Sequence, residues 1–503
     1  MNQVRKGALL SFVQTIVHVV VNLLYVPLLL KYIGQSEYGL YQLVGSIIAY
    51  LSITQNLLSA GVLRYYCKYK SLDDLENAEN TLAIAKRIYY IFSGVVMLLG
   101  LVMVFFFEKF YNGSLTLAEI QESRWMILLL TVTLVINLTS YVYTAALNGN
   151  ECFFFIKVLG IIITLFQPIT VIIFTIRSPY ALTVVCIQTV FTLIEAIAKR
   201  YYCSKKMKVK IVYHHRDSAL VKKIIFFSAG VFCAALADQI FWKTDQIILG
   251  RMFNTSVVAV YAVGAQIYTN YMPFGTAISG VFMPKVSRIY NTSKSTQELS
   301  DLFSKVGRIS FMICALILTG FALFGLDFIP LWAGENFEIA YYIALTVMFP
   351  FTIDIIQNLG LTILQVENKY YFRARMYLLI AIVNIVATIV FVQWWGILGA
   401  AIATAASSLI GNGIIMNIYY SKVIHLNVKA FWVEILKVMP AIILSLALGY
   451  LILLIRCSNP WLELFVHIML YVIVYLVSIY FLSLNDYEKG MLKALKNKIM
   501  RKI

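Results

Sequence analysis

The chain has 503 residues, 61% of them hydrophobic and only 13% charged, about half the charged fraction of an ordinary soluble domain. That composition excludes a typical soluble enzyme. One giant buried core is excluded too, because single cores stop growing at roughly 250–300 residues. The net charge of +17 would suit a nucleic acid, but its placement along the chain, given below, explains it without one.

Continuous apolar runs of about 20 residues, the length that crosses roughly 30 Å of hydrocarbon, recur from end to end. In the first half they fall at 9–30, 40–61, 88–107, 125–147, 153–176 and 181–198. The first run is longer than a signal-peptide core and has no small-residue cleavage site before the next, so it reads as a retained span. A polar connector follows, carrying Lys199, Arg200, Lys205, Lys206, Lys208, Lys210, Arg216, Lys222 and Lys223. The second half repeats the pattern at 224–249, 257–283, 309–331, 339–364, 376–395, 397–420, 438–455 and 462–482. The runs do not alternate as barrel strands do, and only helices or closed barrels satisfy the backbone in lipid. The expected class is an all-α polytopic membrane protein with about fourteen transmembrane helices.

Placing the N-terminus in the cytoplasm leaves Lys31, Lys109, Arg124, Arg177, Arg251 and Arg456 on the outer side. Apart from Lys157 and Lys243, which fall within spans, the rest of the 41 Lys and Arg lie inside. This is the positive-inside asymmetry, and it predicts cytoplasmic N- and C-termini. Outer loops are short and the cytoplasmic loops hold no P-loop, so no ATPase is expected in the chain. The seven cysteines are odd in number and scattered, without CxxC spacing. They suggest neither a disulfide framework nor a zinc site, and no cofactor is expected.

A shift of 220 residues brings Lys31 onto Arg251, Tyr41 onto Tyr261 and Lys68 onto Arg288. The shift covers six spans, an even number, so the repeated halves share one orientation. The expected organisation is 1–215 for spans one to six plus connector, 216–425 for spans seven to twelve, and 426–503 for two further spans and a basic tail.

Tyr25-Val26-Pro27-Leu28-Leu29-Leu30-Lys31-Tyr32-Ile33-Gly34 followed by Glu37-Tyr38-Gly39-Leu40-Tyr41 resembles the opening signature of bacterial polysaccharide flippases. These belong to the multidrug/oligosaccharidyl-lipid/polysaccharide exporter superfamily. Arg64-Tyr65-Tyr66, the stretch from Lys243 to Gly250, Pro284-Lys285 and the glycine–alanine segment from Gly396 to Thr404 are similar to later family motifs. One stretch, Thr54-Gln55-Asn56-Leu57-Leu58-Ser59-Ala60-Gly61, departs from the family pattern and leaves the sugar and any coupling ion open. The resemblance implies two pseudo-symmetric six-helix lobes in a V plus two extra C-terminal helices. It implies alternating access around a cavity lined by spans one, two, seven and eight. The implied cargo is an undecaprenyl-diphosphate-linked oligosaccharide for O-antigen or capsule-type assembly. Membrane lipids, glycan polymerase or assembly proteins and a coupling ion are the partners this reading allows.

Ionisable residues at bilayer depth are costly and mark candidate sites. His18 and Asp238 are deep in spans one and seven and coincide under the 220-residue shift, which makes them candidate partners. Asn22, Gln239, Lys243 and Asp245 complete a candidate substrate path, with Arg64 at its inner mouth and Lys31 and Arg251 at its outer mouth. Asp238 and Asp245, seven residues apart, should share a helix face. For Lys243 and Asp245, reaching out to headgroups is an equally good account. Asp354, beside Gln357 and Asn358, joins Asp238 as a candidate for ion coupling. Pro168 and Pro273 invite kinks. The rival readings are a drug or cation antiporter of the same superfamily, against which span one offers no acid, and a membrane polysaccharide polymerase, against which the outer loops are short.

Overall fold

The computed structural model describes residues 3–280, 282–367, 369–485 and 488–490. Helices account for nearly every apolar run. They are α1 Gln3–Ser71, α2 Leu75–Tyr111, α3 Leu117–Gly149, α4 Phe153–Thr175 and α5 Ala181–Tyr201. After the connector come α6 Ser218–Met252, α7 Thr255–Gly280, α8 Met283–Asn291, α9 Thr296–Ala333, α10 Ile339–Ile356 and α11 Asn358–Val366. The series ends with α12 Tyr370–Trp395, α13 Ile397–Ser408, α14 Met416–Lys422, α15 Val428–Leu436, α16 Met439–Ile452 and α17 Pro460–Leu482. Among the described residues, eleven helical stretches are long and apolar enough to cross a membrane. One of them, in α1, spans most of the first two of the fourteen expected runs, and α6 and α7 hold the seventh and most of the eighth. The basic tail beyond residue 490 and the side chains of residues 56–60 lie outside the described residues.

Local chemistry sets the helix ends. A straight α1 of 69 residues would reach about 100 Å, over three times the hydrocarbon thickness. It breaks at Gly34, where φ is 83°, a left-handed value that glycine adopts without a Cβ penalty. The 220-residue shift carries Gly34 to Asn254, and the chain breaks there as well, between α6 and α7. Asp74, Asp217, Ser295 and Asn427 cap α2, α6, α9 and α15 through their side-chain oxygens, and Thr116 with Glu119 forms a capping box on α3. Gly396, at φ 58°, separates α12 from α13 and so sustains the expected division between two nearly fused runs. Pro168 and Pro273 sit inside α4 and α7, which continue through them.

By packing, the chain divides into residues 1–262 and 263–503, whereas the repeat sets its boundary at the connector. The cause is α6, which lies along the second half of α1. In the first unit, Gly61 meets the Ile224 carbonyl at one end of this seam, Gly250 receives Leu43 further along, and Gly39 meets the Thr255 backbone at the other end. Small residues allow the close approach that helices in lipid depend on. Outward-facing Phe105, Phe106 and Phe226 are exposed, as a lipid-facing surface requires.

In the second unit, Phe324, Val438, Ala441, Tyr471 and Tyr475 pack α9 against α16 and α17. Arg308, 3% exposed, fastens the last two spans. Its guanidinium donates to the Glu488 carboxylate at 3.0 Å, to the Glu434 carbonyl at 2.8 Å and to the Ser483 carbonyl. A buried cation with three acceptors is tolerable because its donors are satisfied.

Candidate functional site

The residues proposed for a substrate path separate into two groups according to what covers them. On α1, His18 is exposed, and its ring nitrogen lies 3.1 Å from the Asn22 amide one turn on. Arg64 is exposed near the end of α1, Lys31 is exposed just before the break at Gly34, and Arg251 is exposed at the end of α6, over the Phe110 ring at 6.0 Å. On α6, Asp238 is exposed, while Gln239 and Lys243 are half-buried.

Asp245 behaves differently. It is 2% exposed and accepts a hydrogen bond from the Tyr261 hydroxyl of α7. Headgroup contact is therefore no account of this carboxylate, and it does not share the exposure of Asp238 seven residues earlier. The reason is uneven cover along α6. Facing α1, Gln246 takes the Ser46 hydroxyl and Thr244 bonds the Tyr50 hydroxyl. The motif from Lys243 to Gln246 thus supplies a polar packing seam at residues 244 to 246, while Lys243, half-buried, and Asp238, exposed, stay outside it.

The end of this seam next to the break at Gly34 is knitted further. The Ser36 hydroxyl lies 2.7 Å from that of Thr255, both donate to Glu119, at 3.0 and 2.7 Å, and Gln35 donates to the Ser256 carbonyl at 3.1 Å. Beside it, Glu37 accepts the Ala181 N–H at 2.7 Å and Glu122 the Leu182 N–H at 2.8 Å, so two carboxylates cap the start of α5. The two breaks related by the 220-residue shift are therefore in direct contact.

In the second unit, Asp354 of α10 is half-buried and lies 3.6 Å from the Arg373 guanidinium of α12. Arg373 is 8% exposed and also donates to Asn412, inside a π-helical turn at Leu409–Ile415. Gln357, at the break between α10 and α11, donates to Asn417 at 3.1 Å, and the Trp432 indole reaches the same oxygen at 2.9 Å. Asp354, a candidate for ion coupling, has a cation of the same chain as its neighbour. Sequence reasoning counted Arg373 only as a positive charge beside a loop. The available signal was its spacing, since Arg373, Met376, Ile380, Asn384 and Thr388 recur every three to four residues, and all are buried.

The sequence matches the family described as "Polysaccharide biosynthesis protein" over residues 4–290. The chain belongs to that family. It is 24% identical over 282 residues to the "Capsular polysaccharide biosynthesis protein CapF" of Staphylococcus aureus, an alignment covering 53% of this chain and 67% of that protein. A Shigella flexneri protein named for O-antigen transport is 20% identical over 375 residues, 74% of this chain and 87% of its own. Among solved structures, the lipid II flippase MurJ in an inward closed conformation matches at TM-score 0.72 and 15% identity, covering 94% of this chain and 97% of that one. An inward-facing multidrug transporter of the MATE family matches at TM-score 0.66 and 11% identity, with 82% and 95% covered. The fold is that of these polytopic transporters.

Proposed function

We propose that the protein is a flippase that carries a polyprenyl-diphosphate-linked oligosaccharide between the leaflets of the bacterial cytoplasmic membrane. Family membership carries the reading, and the relative named for O-antigen transport supports it over most of both chains. The fold shared with a lipid II flippase over nearly the whole chain fits the same task. Basic segments, the connector among them, face the cytoplasm, as do both termini.

The physical problem is one of desolvation. A diphosphate and a glycan must pass hydrocarbon that rejects both, while the polyprenyl tail stays in lipid. Spans seven to twelve rock against spans one to six, opening a wet path to one side at a time. His18, Asn22, Asp238, Gln239 and Lys243 line that path, with Arg64 receiving the headgroup at the inner mouth and Lys31 and Arg251 releasing it at the outer one. Lys243 offsets the phosphate charge by a charge-assisted hydrogen bond. The junction of Ser36, Glu119 and Thr255 is the outer gate. Asp238, an exposed carboxylate deep in the seventh span, is the coupling acid.

The test is leaflet exchange of a fluorescent polyprenyl-diphosphate oligosaccharide in liposomes that contain the purified protein. A drug antiporter reading draws on the likeness to the multidrug transporter, although the first span carries His18 and Asn22 with no acid. Ethidium efflux from cells expressing the chain would favour it, and absence of efflux alongside oligosaccharide exchange would reject it.

A further inference from the structure

The basic connector has no part in the transport path, yet it is not a slack tether. Residues 207–217 run without regular structure beside the start of α2, where Asn80, 1% exposed, clamps their backbone. The Asn80 side-chain oxygen accepts the N–H groups of His214 and His215 at 3.1 and 3.4 Å, and its amide donates to the His215 carbonyl at 3.0 Å. Flanking the clamp, His214 lies 3.0 Å from Glu79 and His215 3.8 Å from Glu76.

Where the strap turns into α6, an open hollow of about 640 Å³ lies between it and α2. Ile84, Ile88 and Val221 form an apolar wall, while Arg87, Tyr213 and Arg216 form a polar rim. The Arg87 guanidinium stands 3.5 Å from the centre of the Tyr213 ring, a stacking that holds its donors in place. Asp217 also borders the cavity, but its carboxylate accepts the Leu220 N–H at 2.8 Å and so serves the first turn of α6.

We propose that this cavity binds the phosphate-bearing headgroup of an anionic lipid in the leaflet on the connector side. Two guanidinium groups supply bidentate donors for phosphate oxygens. The apolar wall takes the start of the acyl chain, and exposed Ile91 and Phe226 extend that surface into the hydrocarbon. The volume lies in the range of small-molecule sites. A soluble anion would leave the wall wet, so the occupant is an amphiphile. Lipid phosphate held here cements the strap to α2 and makes the anchoring of the connector depend on membrane composition.

Two sources of that phosphate exist, bulk phospholipid and the carrier lipid. The purified full-length protein is therefore titrated with phosphatidylglycerol, phosphatidylcholine and undecaprenyl phosphate, and retained lipid is read by native mass spectrometry. Phosphatidylglycerol should be retained over phosphatidylcholine, and Arg87→Gln with Arg216→Gln should weaken its retention about thirtyfold, one surface-charge contribution being lost for each of the two arginines. Arg87→Lys with Arg216→Lys should restore part of it. Lys205→Gln with Lys210→Gln, on exposed connector positions outside the cavity, should leave it unchanged. Undecaprenyl phosphate displacing phosphatidylglycerol would assign the site to the carrier lipid, and the reverse would assign it to bulk phospholipid. Equal retention of phosphatidylglycerol and phosphatidylcholine, or equal loss in the two glutamine pairs, would overturn the proposal.

Discussion

A Cβ added to Gly39 would lie 1.8 Å from the carbonyl oxygen of Thr255, so the part of α1 just past Gly34 meets the start of α7 with no room for a side chain. No rotamer relieves that clash, because the obstacle is backbone. Gly39→Val should therefore wedge the seam open, lower stability by about 1–3 kcal/mol and stop oligosaccharide exchange. Gly45, with nothing within 4 Å of an added Cβ, is the control. Gly45→Ala should be neutral or slightly stabilising, by less than about 1 kcal/mol. Thermal unfolding and liposome exchange on both variants check the pair.

Two acids on one helix should respond oppositely. Asp238→Asn removes an exposed carboxylate and is expected to abolish proton-gradient dependence of exchange with little change in melting temperature. Asp245→Asn disturbs a carboxylate buried against Tyr261 and is expected to cost about 1–3 kcal/mol. The same assays decide it: a gradient dependence lost only on changing Asp245 would reverse the assignment.

The Asp354–Arg373 pair calls for a cycle of variants. Arg373→Met strands Asp354 and Asn412 and should destabilise by about 3 kcal/mol. Asp354→Asn should cost less, since its side chain keeps some exposure. The double variant should be less damaging than the sum by about 0.5–3 kcal/mol. Proton-gradient dependence should persist in Asp354→Asn, and its loss there would return Asp354 to a coupling role.

Arg308 predicts a local failure. Arg308→Ala leaves Glu488 and the Ser483 carbonyl without their donor and should cost about 3–5 kcal/mol. Arg308→Lys cannot reproduce the guanidinium fork and should recover only part. Limited proteolysis should then cut first in the segments flanking α15 and α16, whose packing on α9 depends on this cation.

Membrane class, span number and the outer breaks were legible because hydrocarbon imposes a length and a composition on every crossing segment. The interval 31–39, where the chain breaks at Gly34, and the division at Gly396 were legible for the same reason, since the runs each separates would together be too long for one crossing. What covers each span was not legible. Period and spacing put Asp238 and Asp245 on one face of α6, but only the neighbouring helix decides which part of that face is buried. Arg373 escaped notice because a loop-flanking arginine satisfies the positive-inside pattern wherever its side chain goes. The breadth of the α1–α6 seam was hidden as well, since Gly61, Gly250 and Gly39 act as contacts only once both helices are in place.

Leaflet exchange of a fluorescent polyprenyl-diphosphate oligosaccharide, measured in proteoliposomes with and without the purified chain, tests the central claim most directly. The account predicts exchange that requires the protein and falls by about tenfold in Lys243→Ala, which removes the cation proposed to meet the diphosphate. Exchange at the protein-free rate, under conditions where the same preparation is folded and inserted, would contradict it.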